Sequence, residues 1–252
     1  MTTDAHLHLS FFKSECADVL KRARARGVNR FFCASASPND WDDVLEISLF
    51  EKDVVPFLGT HPKFAPLHDN KRLEMLLTAN ENAKIGEIGL DALHPNPFQE
   101  KVFKEQLETA ARFKRPCAVH CVKAFNTLCP LLKKLPLPPT ILIHGFSGSV
   151  SEIPFLTERG AYFSFSGASV YPDRAKAHKL IKAVPLDRLT VETDAPDMMP
   201  PADCRFNPDC ERNLPENLPL IIRKIAAIKE INENELNEIV TRNALRFEQG
   251  GL

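Results

Sequence analysis

The sequence has no apolar run as long as the roughly 18 residues that a membrane-spanning helix needs. Its N-terminus also lacks a basic segment leading into an apolar one, the pattern of a signal peptide. Surplus charge of one sign is absent too, because the net charge is -1 at pH 7. No overall basic field therefore draws the chain to nucleic acid or to a membrane surface. We expect a cytoplasmic protein without membrane contact.

Cysteine pairs with the spacing of a zinc knuckle or of a thioredoxin-like motif are missing. The seven cysteines are an odd number, and no two of them form a Cys-x-x-Cys pair. Cys204 and Cys210 are the one pair in a predicted loop, where they could ligate a metal or form a disulfide bond. Free thiols of a cytosolic protein are the better interpretation.

Apolar runs of strand length alternate with stretches of helical periodicity along nearly the whole chain. The first predicted strand covers Thr3 to Leu9, and the clearest helix begins near Asn96, with Gln99 as its capping-box partner. Eight such strands in 252 residues match the count and size of a (β/α)8 barrel, or TIM barrel. An open doubly wound sheet is the alternative, but its glycine-rich phosphate turn after the first strand is missing. We predict an α/β barrel that forms a single domain over residues 1–252.

Metal-ligand side chains stand at the ends of five predicted strands. They are His6 and His8 on the first strand, Glu87 on the fourth, His120 on the fifth, His144 on the sixth and Asp194 on the eighth. In a barrel these C-terminal strand ends converge on one mouth, where barrel enzymes hold their chemistry. Side chains two residues apart in a strand point to the same face, so His6 and His8 can bind one ion together.

Four imidazoles and two carboxylates suit divalent metals such as zinc or manganese. Six ligands are too many for one tetrahedral ion with an open position, so two ions bridged by Glu87 are the economical arrangement. Glu87 lies between Gly86 and Gly89, and we expect the missing side chains to leave space for an ion or a phosphate. Each histidine alone also fits an ordinary core or loop role. Their shared placement at strand ends favours a metal site.

Several sequence blocks resemble the signature of the TatD family of metal-dependent hydrolases, many of which are deoxyribonucleases. The blocks are Asp4-Ala5-His6-Leu7-His8, Gly59-Thr60-His61-Pro62, Gly86-Glu87-Ile88-Gly89-Leu90-Asp91, His144-Gly145-Phe146-Ser147-Gly148 and Glu192-Thr193-Asp194-Ala195-Pro196. The resemblance runs from residue 4 to about residue 247 and implies a barrel of the metallo-dependent hydrolase type. It also implies that one ion is held by His6, His8, Glu87 and Asp194, and the other by Glu87, His120 and His144.

The same resemblance implies hydrolysis of phosphodiester bonds in DNA, which would be bound transiently as the substrate. The cofactors would be two divalent ions per chain, Zn²⁺, Mg²⁺ or Mn²⁺, which activate a water molecule and neutralise the phosphate. Asp194 is the predicted catalytic residue, because it can accept the proton of the nucleophile as a general base. We expect a monomer without an obligate protein partner.

Three further residues are predicted to contact the substrate: His61, Lys123 and Phe146. Where the family has a histidine, a small residue, an arginine, an acid and an alanine, this chain reads His120-Cys121-Val122-Lys123-Ala124. Lys123 thus stands one place beyond the missing arginine, and a lysine is a point charge rather than a bidentate fork. His61 also fits an ordinary loop role, and Phe146 also fits packing beneath the mouth. Asp91 either hydrogen-bonds to a liganding imidazole or caps its turn.

Two other functions stay open at this point. A small-molecule amidohydrolase or esterase on the same barrel fits the near-zero net charge and the missing arginine. A catalytically inactive binding protein would ordinarily have lost at least one ligand, whereas this chain retains the full set. Salt distinguishes a nuclease from a small-molecule hydrolase, because rising salt weakens DNA binding but leaves the turnover of a small neutral ester unchanged.

Overall fold

Eight parallel strands form one sheet in the computed structural model, which describes residues 2–251. The strands are β1 Thr2–Leu7, β2 Val28–Ala34, β3 Val54–Leu58, β4 Lys84–Asp91, β5 Cys117–Val122, β6 Ile141–Ile143, β7 Ala161–Phe165 and β8 Leu189–Val191. Each strand pairs in parallel with the next one along the chain. A doubly wound sheet would instead reverse its strand order at a switch point. The predicted (β/α)8 barrel is therefore confirmed.

Within residues 2–251, seven helices connect successive strands on the outside of this sheet, and two more follow the last strand. They are α1 Cys16–Ala25, α2 Trp41–Phe50, α3 Asn70–Ala79, α4 Gln99–Phe113, α5 Phe125–Lys134, α6 Ile153–Glu158, α7 Ala175–Ala183, α8 Leu218–Lys229 and α9 Glu233–Glu248. Apolar side chains of these helices and of the outward strand faces form one large buried core. No helix in the described part of the chain is long and apolar enough to cross a membrane. All seven cysteines are free thiols, Cys204 and Cys210 included.

Backbone hydrogen bonds close the barrel between its last and first strands. The amide of Asp194 donates to the carbonyl of His6 at 2.9 Å, and the amide of His8 donates to the carbonyl of Ala195 at 2.8 Å. These bonds lie just beyond the end of β8. Closure therefore draws the predicted ligands from the two ends of the sequence together at the mouth.

A second, smaller cluster fills the inside of the barrel beneath the mouth. Ala118 and Leu142 belong to it and lie two residues before His120 and His144, on the same strand faces. Phe247 of α9 seals the lower end, where its ring stacks on Phe57 with centroids 5.9 Å apart. The predicted ligands thus form the top layer of a packed interior, above an apolar floor.

The start of α4 differs from the predicted capping box. The helix begins at Gln99 with Phe98 as its N-cap, and Asn96 accepts a hydrogen bond from the Phe98 amide at 3.1 Å. The Gln99 side chain instead accepts from the amide of Asp91 at 2.8 Å and donates to the Asp91 carbonyl at 3.1 Å. This contact stabilises the end of β4 more than it does the helix. Gln99 therefore positions the mouth rather than capping α4.

Candidate metal centre

Glu87 lies at the centre of the predicted ligands, and its two carboxylate oxygens face different histidine pairs. Oε2 is 3.5 Å from Nε2 of His6 and 3.4 Å from Nε2 of His8. Oε1 is 2.6 Å from Nε2 of His144 and 2.8 Å from Nδ1 of His120. One carboxylate therefore joins two groups of imidazoles.

Asp194 joins the first of these groups. Its Oδ1 atom is 3.8 Å from Nε2 of His6 and 3.5 Å from Nε2 of His8. The residue lies three positions beyond the end of β8 and has a left-handed backbone, with φ at 55°. The structure thus brings together all six side chains that the sequence analysis selected, although they are dispersed over the whole chain.

The donor atoms fit metal cations. Ligand atoms of His6, His8 and Glu87 lie within 4.8 Å of one another, and the same holds for Glu87, His120 and His144. Nε2 of His6 is buried without a hydrogen-bond partner among the described residues. Nδ1 of His8 donates to the carbonyl of Ala34 at 2.9 Å, which leaves Nε2 as the nitrogen that faces Glu87 and Asp194. Imidazole nitrogens and carboxylate oxygens that converge in this way are typical of a site that can hold a cation.

The charges at the site support the same interpretation. Burial alone would raise the pKa of Glu87, but the charges of His144 and His61 and hydrogen bonds from the histidines lower it well below its usual range. Burial would likewise lower the pKa of His8, but hydrogen bonds to Asp194 and Glu87 raise it to about 10. Despite burial, the pKa of Asp194 falls to about 2. Both carboxylates are therefore ionised at neutral pH although they are buried.

Two further carboxylates contact the imidazoles from outside the cluster. Asp91 Oδ2 is 3.4 Å from Nε2 of His120, and Oδ1 of Asp91 accepts a hydrogen bond from the amide of Leu93 at 2.7 Å. Asp91 thus caps its turn, and its other carboxylate oxygen lies beside the His120 imidazole. The buried Glu192 lies 3.7 Å from Nδ1 of His144 and accepts from the amide of Gly145 at 2.8 Å. Carboxylates of this kind orient a metal-binding imidazole and increase its basicity.

Asp4 positions the backbone beside the proposed ligands, a role not predicted from the sequence. It is fully buried, and its Oδ1 accepts a hydrogen bond from the amide of Thr193 at 2.9 Å. Burial raises the pKa of Asp4 to about 8, although hydrogen bonds from Thr193 oppose this shift. The signal was present in the sequence, because Asp4 alternates with His6 and His8 on one strand.

The three predicted substrate-contact residues take different positions. Nε2 of His61 lies 3.6 Å from Oε1 of Glu87, so this side chain faces the cluster. Lys123 is exposed just beyond the end of β5. Phe146 is only 3% exposed, and its ring packs edge-on against Phe163 with centroids 4.9 Å apart. The prediction that Phe146 contacts substrate is therefore corrected, because its ring belongs to the large core between the strands and the helices.

Phe11, unlike Phe146, has an exposed aromatic ring beside the proposed ligands. Its ring is 42% exposed and stacks on the His8 imidazole, with centroids 5.3 Å apart and an interplanar angle of 17°. The sequence favours a packing role for Phe11, although this residue follows His8 closely enough to line the pocket. Its orientation depends on the 3-10 helix Leu9–Glu15, which follows β1.

The glycines beside Glu87 serve a different purpose from the predicted one. A Cβ atom at Gly86 would lie 2.8 Å from Cβ of Ala118, and one at Gly89 would collide with the carbonyl oxygen of His120. The neighbouring strand β5 fills the space that we expected an ion or a phosphate to occupy. The prediction about this space was wrong, and the two glycines instead permit close approach of β4 and β5.

Fold and site together define a metal-dependent hydrolase. The sequence model of the family described as TatD related DNase matches residues 3–249, and the chain belongs to this family. The Escherichia coli K12 protein named uncharacterized metal-dependent hydrolase YjjV is 32% identical over 205 residues, which cover 77% of this chain and 79% of that protein. A crystal structure of Escherichia coli YjjV has a TM-score of 0.89 and 26% identity, and 98% of each chain is covered.

A human relative has a name that specifies an activity. Deoxyribonuclease TATDN3 is 28% identical over 265 residues, which cover 97% of this chain and 93% of that protein. The predicted family is therefore confirmed, and so is the coarse class of a metal-dependent hydrolase.

Proposed function

We propose that this protein hydrolyses phosphodiester bonds in DNA at a centre that binds two divalent metal ions. The observation that carries the proposal is the position of Glu87, whose two carboxylate oxygens each face a separate histidine pair. The name of the human relative TATDN3 supports the choice of DNA as the substrate.

The ligands divide into two sets that share Glu87. His6, His8, Glu87 and Asp194 would hold one ion, and Glu87, His120 and His144 would hold the other. Mixed nitrogen and oxygen donors suit Zn²⁺ and Mn²⁺, and Mg²⁺ is the third candidate. When bound, the two ions would supply Lewis acidity that lowers the pKa of a shared water and withdraws charge from a phosphoryl group.

Asp194 is the proposed general base. Its carboxylate is ionised at neutral pH because, despite burial, a hydrogen bond from His8 and the charges of the nearby histidines lower its pKa to about 2. Its Oδ1 atom is the oxygen nearest to both His6 and His8. The other oxygen, Oδ2, would take the proton of the attacking water.

His61 is proposed to donate a hydrogen bond to the attacked phosphate. Burial lowers the pKa of His61 to about 4, so its ring is neutral at pH 7. Its Nδ1 atom accepts a hydrogen bond from the amide of Lys63 at 3.1 Å, which leaves the proton on Nε2. That nitrogen faces Glu87 and the centre of the site. Lys123 would add a cation at the rim.

Hydrolysis of labelled single-stranded DNA, RNA and a panel of lactones and carboxylic esters tests the proposal. We expect the metal-loaded wild type to cut DNA and Asp194→Asn to lose about 100-fold or more in kcat. The exposed Asp197 provides the control, since Asp197→Asn removes a nearby charge without touching the cluster. Undiminished cleavage by Asp194→Asn would overturn the mechanism. Turnover of esters without cleavage of DNA would instead establish a small-molecule hydrolase.

A further inference from the structure

A cavity of about 320 Å³ opens beside the mouth, between the loop after β6 and the first turns of α7. Its lining residues are Ser149, Val150, Ser151, Lys176, Lys179 and Leu180. Two ammonium groups and two hydroxyls thus line one small space, and none of the lining residues is acidic. Lysines and hydroxyls together are donors that suit a phosphate group.

The two lysines of this cavity are free to bind an anion. Both are exposed, and neither forms a salt bridge with a carboxylate in the described part of the chain. Lys182, at the far end of the same helix, is instead paired with Glu230 at 2.6 Å. Lys176 donates one hydrogen bond, to the carbonyl of Ser147 at 2.7 Å. An ammonium group has three donors, so two remain for a ligand.

The nearby carboxylate of Glu152 already accepts a hydrogen bond from the backbone. Glu152 accepts a hydrogen bond from the amide of Ser149 at 2.6 Å within a capping box. Its charge is directed at the backbone at the start of the following helix. The hydroxyl of Ser149 lies 2.8 Å from that of Ser151, so the two can present a common polar edge.

The cavity is connected to the metal centre through a short loop. Ser149 follows His144 by five positions, which limits the distance between their Cα atoms to about 18 Å. The hydroxyl of Ser147 donates to the carbonyl of Cys121 at 3.5 Å, directly after His120. The cavity therefore lies on the side of the mouth that carries His120 and His144, within reach of a short oligonucleotide.

We propose that this cavity binds a backbone phosphate of the polynucleotide substrate, a few nucleotides away from the bond that is cut. The inference rests on the proposed nuclease function and adds a subsite to it. A protein with a net charge of -1 has no general attraction for a polyanion, so unpaired cations at the rim determine where the strand lies. The contact is to phosphate and carries no base preference.

The test compares wild type with the double variant Lys176→Gln/Lys179→Gln on a labelled 12-nucleotide single strand. Loss of a charge-assisted hydrogen bond should raise KM about tenfold while kcat stays unchanged. The slope of log affinity against log salt should fall by about 0.7 for one lost phosphate contact. Hydrolysis of bis(p-nitrophenyl) phosphate, which carries one phosphate, should be the same in both proteins. Lys182→Gln is the matched control and should behave as wild type.

A binding measurement separates the two proposals. Fluorescence anisotropy with an uncleavable phosphorothioate strand should show about tenfold weaker binding by the double variant than by wild type. Equal KM, salt slope and affinity in the two proteins would overturn the subsite while leaving the nuclease proposal intact. A wild type that neither binds nor cuts the strand would overturn both. The double variant could instead bind inorganic phosphate less tightly than wild type while its affinity for the strand is unchanged. That result would show that the cavity binds the free ion, and it would also overturn the subsite.

Discussion

Asp4 holds Thr193 through two hydrogen bonds, one from its amide at 2.9 Å and one from its hydroxyl at 2.5 Å. The amide of His6 also donates to Asp4, at 3.4 Å. Since Thr193 directly precedes Asp194, one buried carboxyl group positions the backbone of two proposed ligands from opposite ends of the chain. Asp4 therefore joins β1 to the residues after β8 at the point where the metal centre forms.

Asp4→Asn should preserve the stability of the fold, whereas Asp4→Ala should lower it. The raised pKa of about 8 means that Asp4 is largely protonated at pH 7, and asparagine has the shape and donor–acceptor pattern of a protonated acid. Alanine leaves buried donors without a partner, which costs about 1–3 kcal/mol for each. Urea unfolding should place Asp4→Asn within about 1 kcal/mol of wild type and Asp4→Ala at least 2 kcal/mol below it. Equal losses in the two variants would contradict this account.

The same group should make stability depend on pH. Below about pH 4, Asp4 is protonated in both the folded and the unfolded chain, and its contribution is fully present. Between about pH 4 and the folded-state pKa of about 8, the unfolded chain releases the proton that the folded chain keeps, so stability falls as pH rises. The Tm of metal-free wild type minus that of Asp4→Asn should therefore decrease from pH 5 to pH 8. A constant difference would exclude the raised pKa.

Metal content should follow the two ligand sets. Atomic emission on protein purified with excess Zn²⁺ or Mn²⁺ should give about two ions per wild-type chain. His8→Ala should lose one ion and His120→Ala the other, while Asp197→Ala should retain both. Loading the metal-free protein should also raise its stability, by about 2.7 kcal/mol for each ion at a free concentration 100 times its Kd. If wild type held a single ion and both His8→Ala and His120→Ala lost it, the proposal that Glu87 is shared by two ions would be contradicted.

Phe11 should contribute to the binding of nucleic acid but not to that of a small diester. Its exposed ring lies over His8, where a nucleobase next to the reacting phosphate could stack on it. Stacking of one base on an aromatic side chain contributes about 1–3 kcal/mol, so Phe11→Ala should raise KM for an oligonucleotide about 5- to 150-fold.

The kinetics of bis(p-nitrophenyl) phosphate should change little in Phe11→Ala, because this substrate has no nucleobase. Phe50, which is 72% exposed at the end of α2, supplies the control, and Phe50→Ala should leave both substrates unaffected. A parallel loss on both substrates would show that Phe11 supports His8 rather than the substrate.

The barrel and the set of proposed ligands were accessible from the sequence because both follow local patterns. Strand and helix periodicities are set by neighbouring residues, and parallel strands in a barrel necessarily end at one mouth. A histidine or carboxylate at the end of an apolar run is therefore placed correctly without knowledge of distant contacts. The proximity of His6 and Asp194 could be predicted for this reason, although the two residues are far apart in the chain.

The contacts around the site could not be predicted because they depend on packing between elements. Phe146 and Phe11 both follow strands closely, but a neighbouring Phe163 buries the first and a 3-10 helix turns the second outward. Gln99 has the position of a capping residue, yet the end of β4 lies near enough to bind its amide group. The alternation of Asp4 with His6 and His8 indicates a shared strand face, but its partner Thr193 is brought to it only by the closure of the barrel.

The close contact of β4 with β5 sets a limit for anyone who wishes to redesign this enzyme. Loops around the mouth, such as those that carry Phe11 and Lys123, can be exchanged to seek new substrates. Gly86 and Gly89 offer no such freedom, because even a methyl group would meet Ala118 or the backbone of His120. Combinatorial libraries should therefore leave β4 constant and vary the residues of the loops around the mouth.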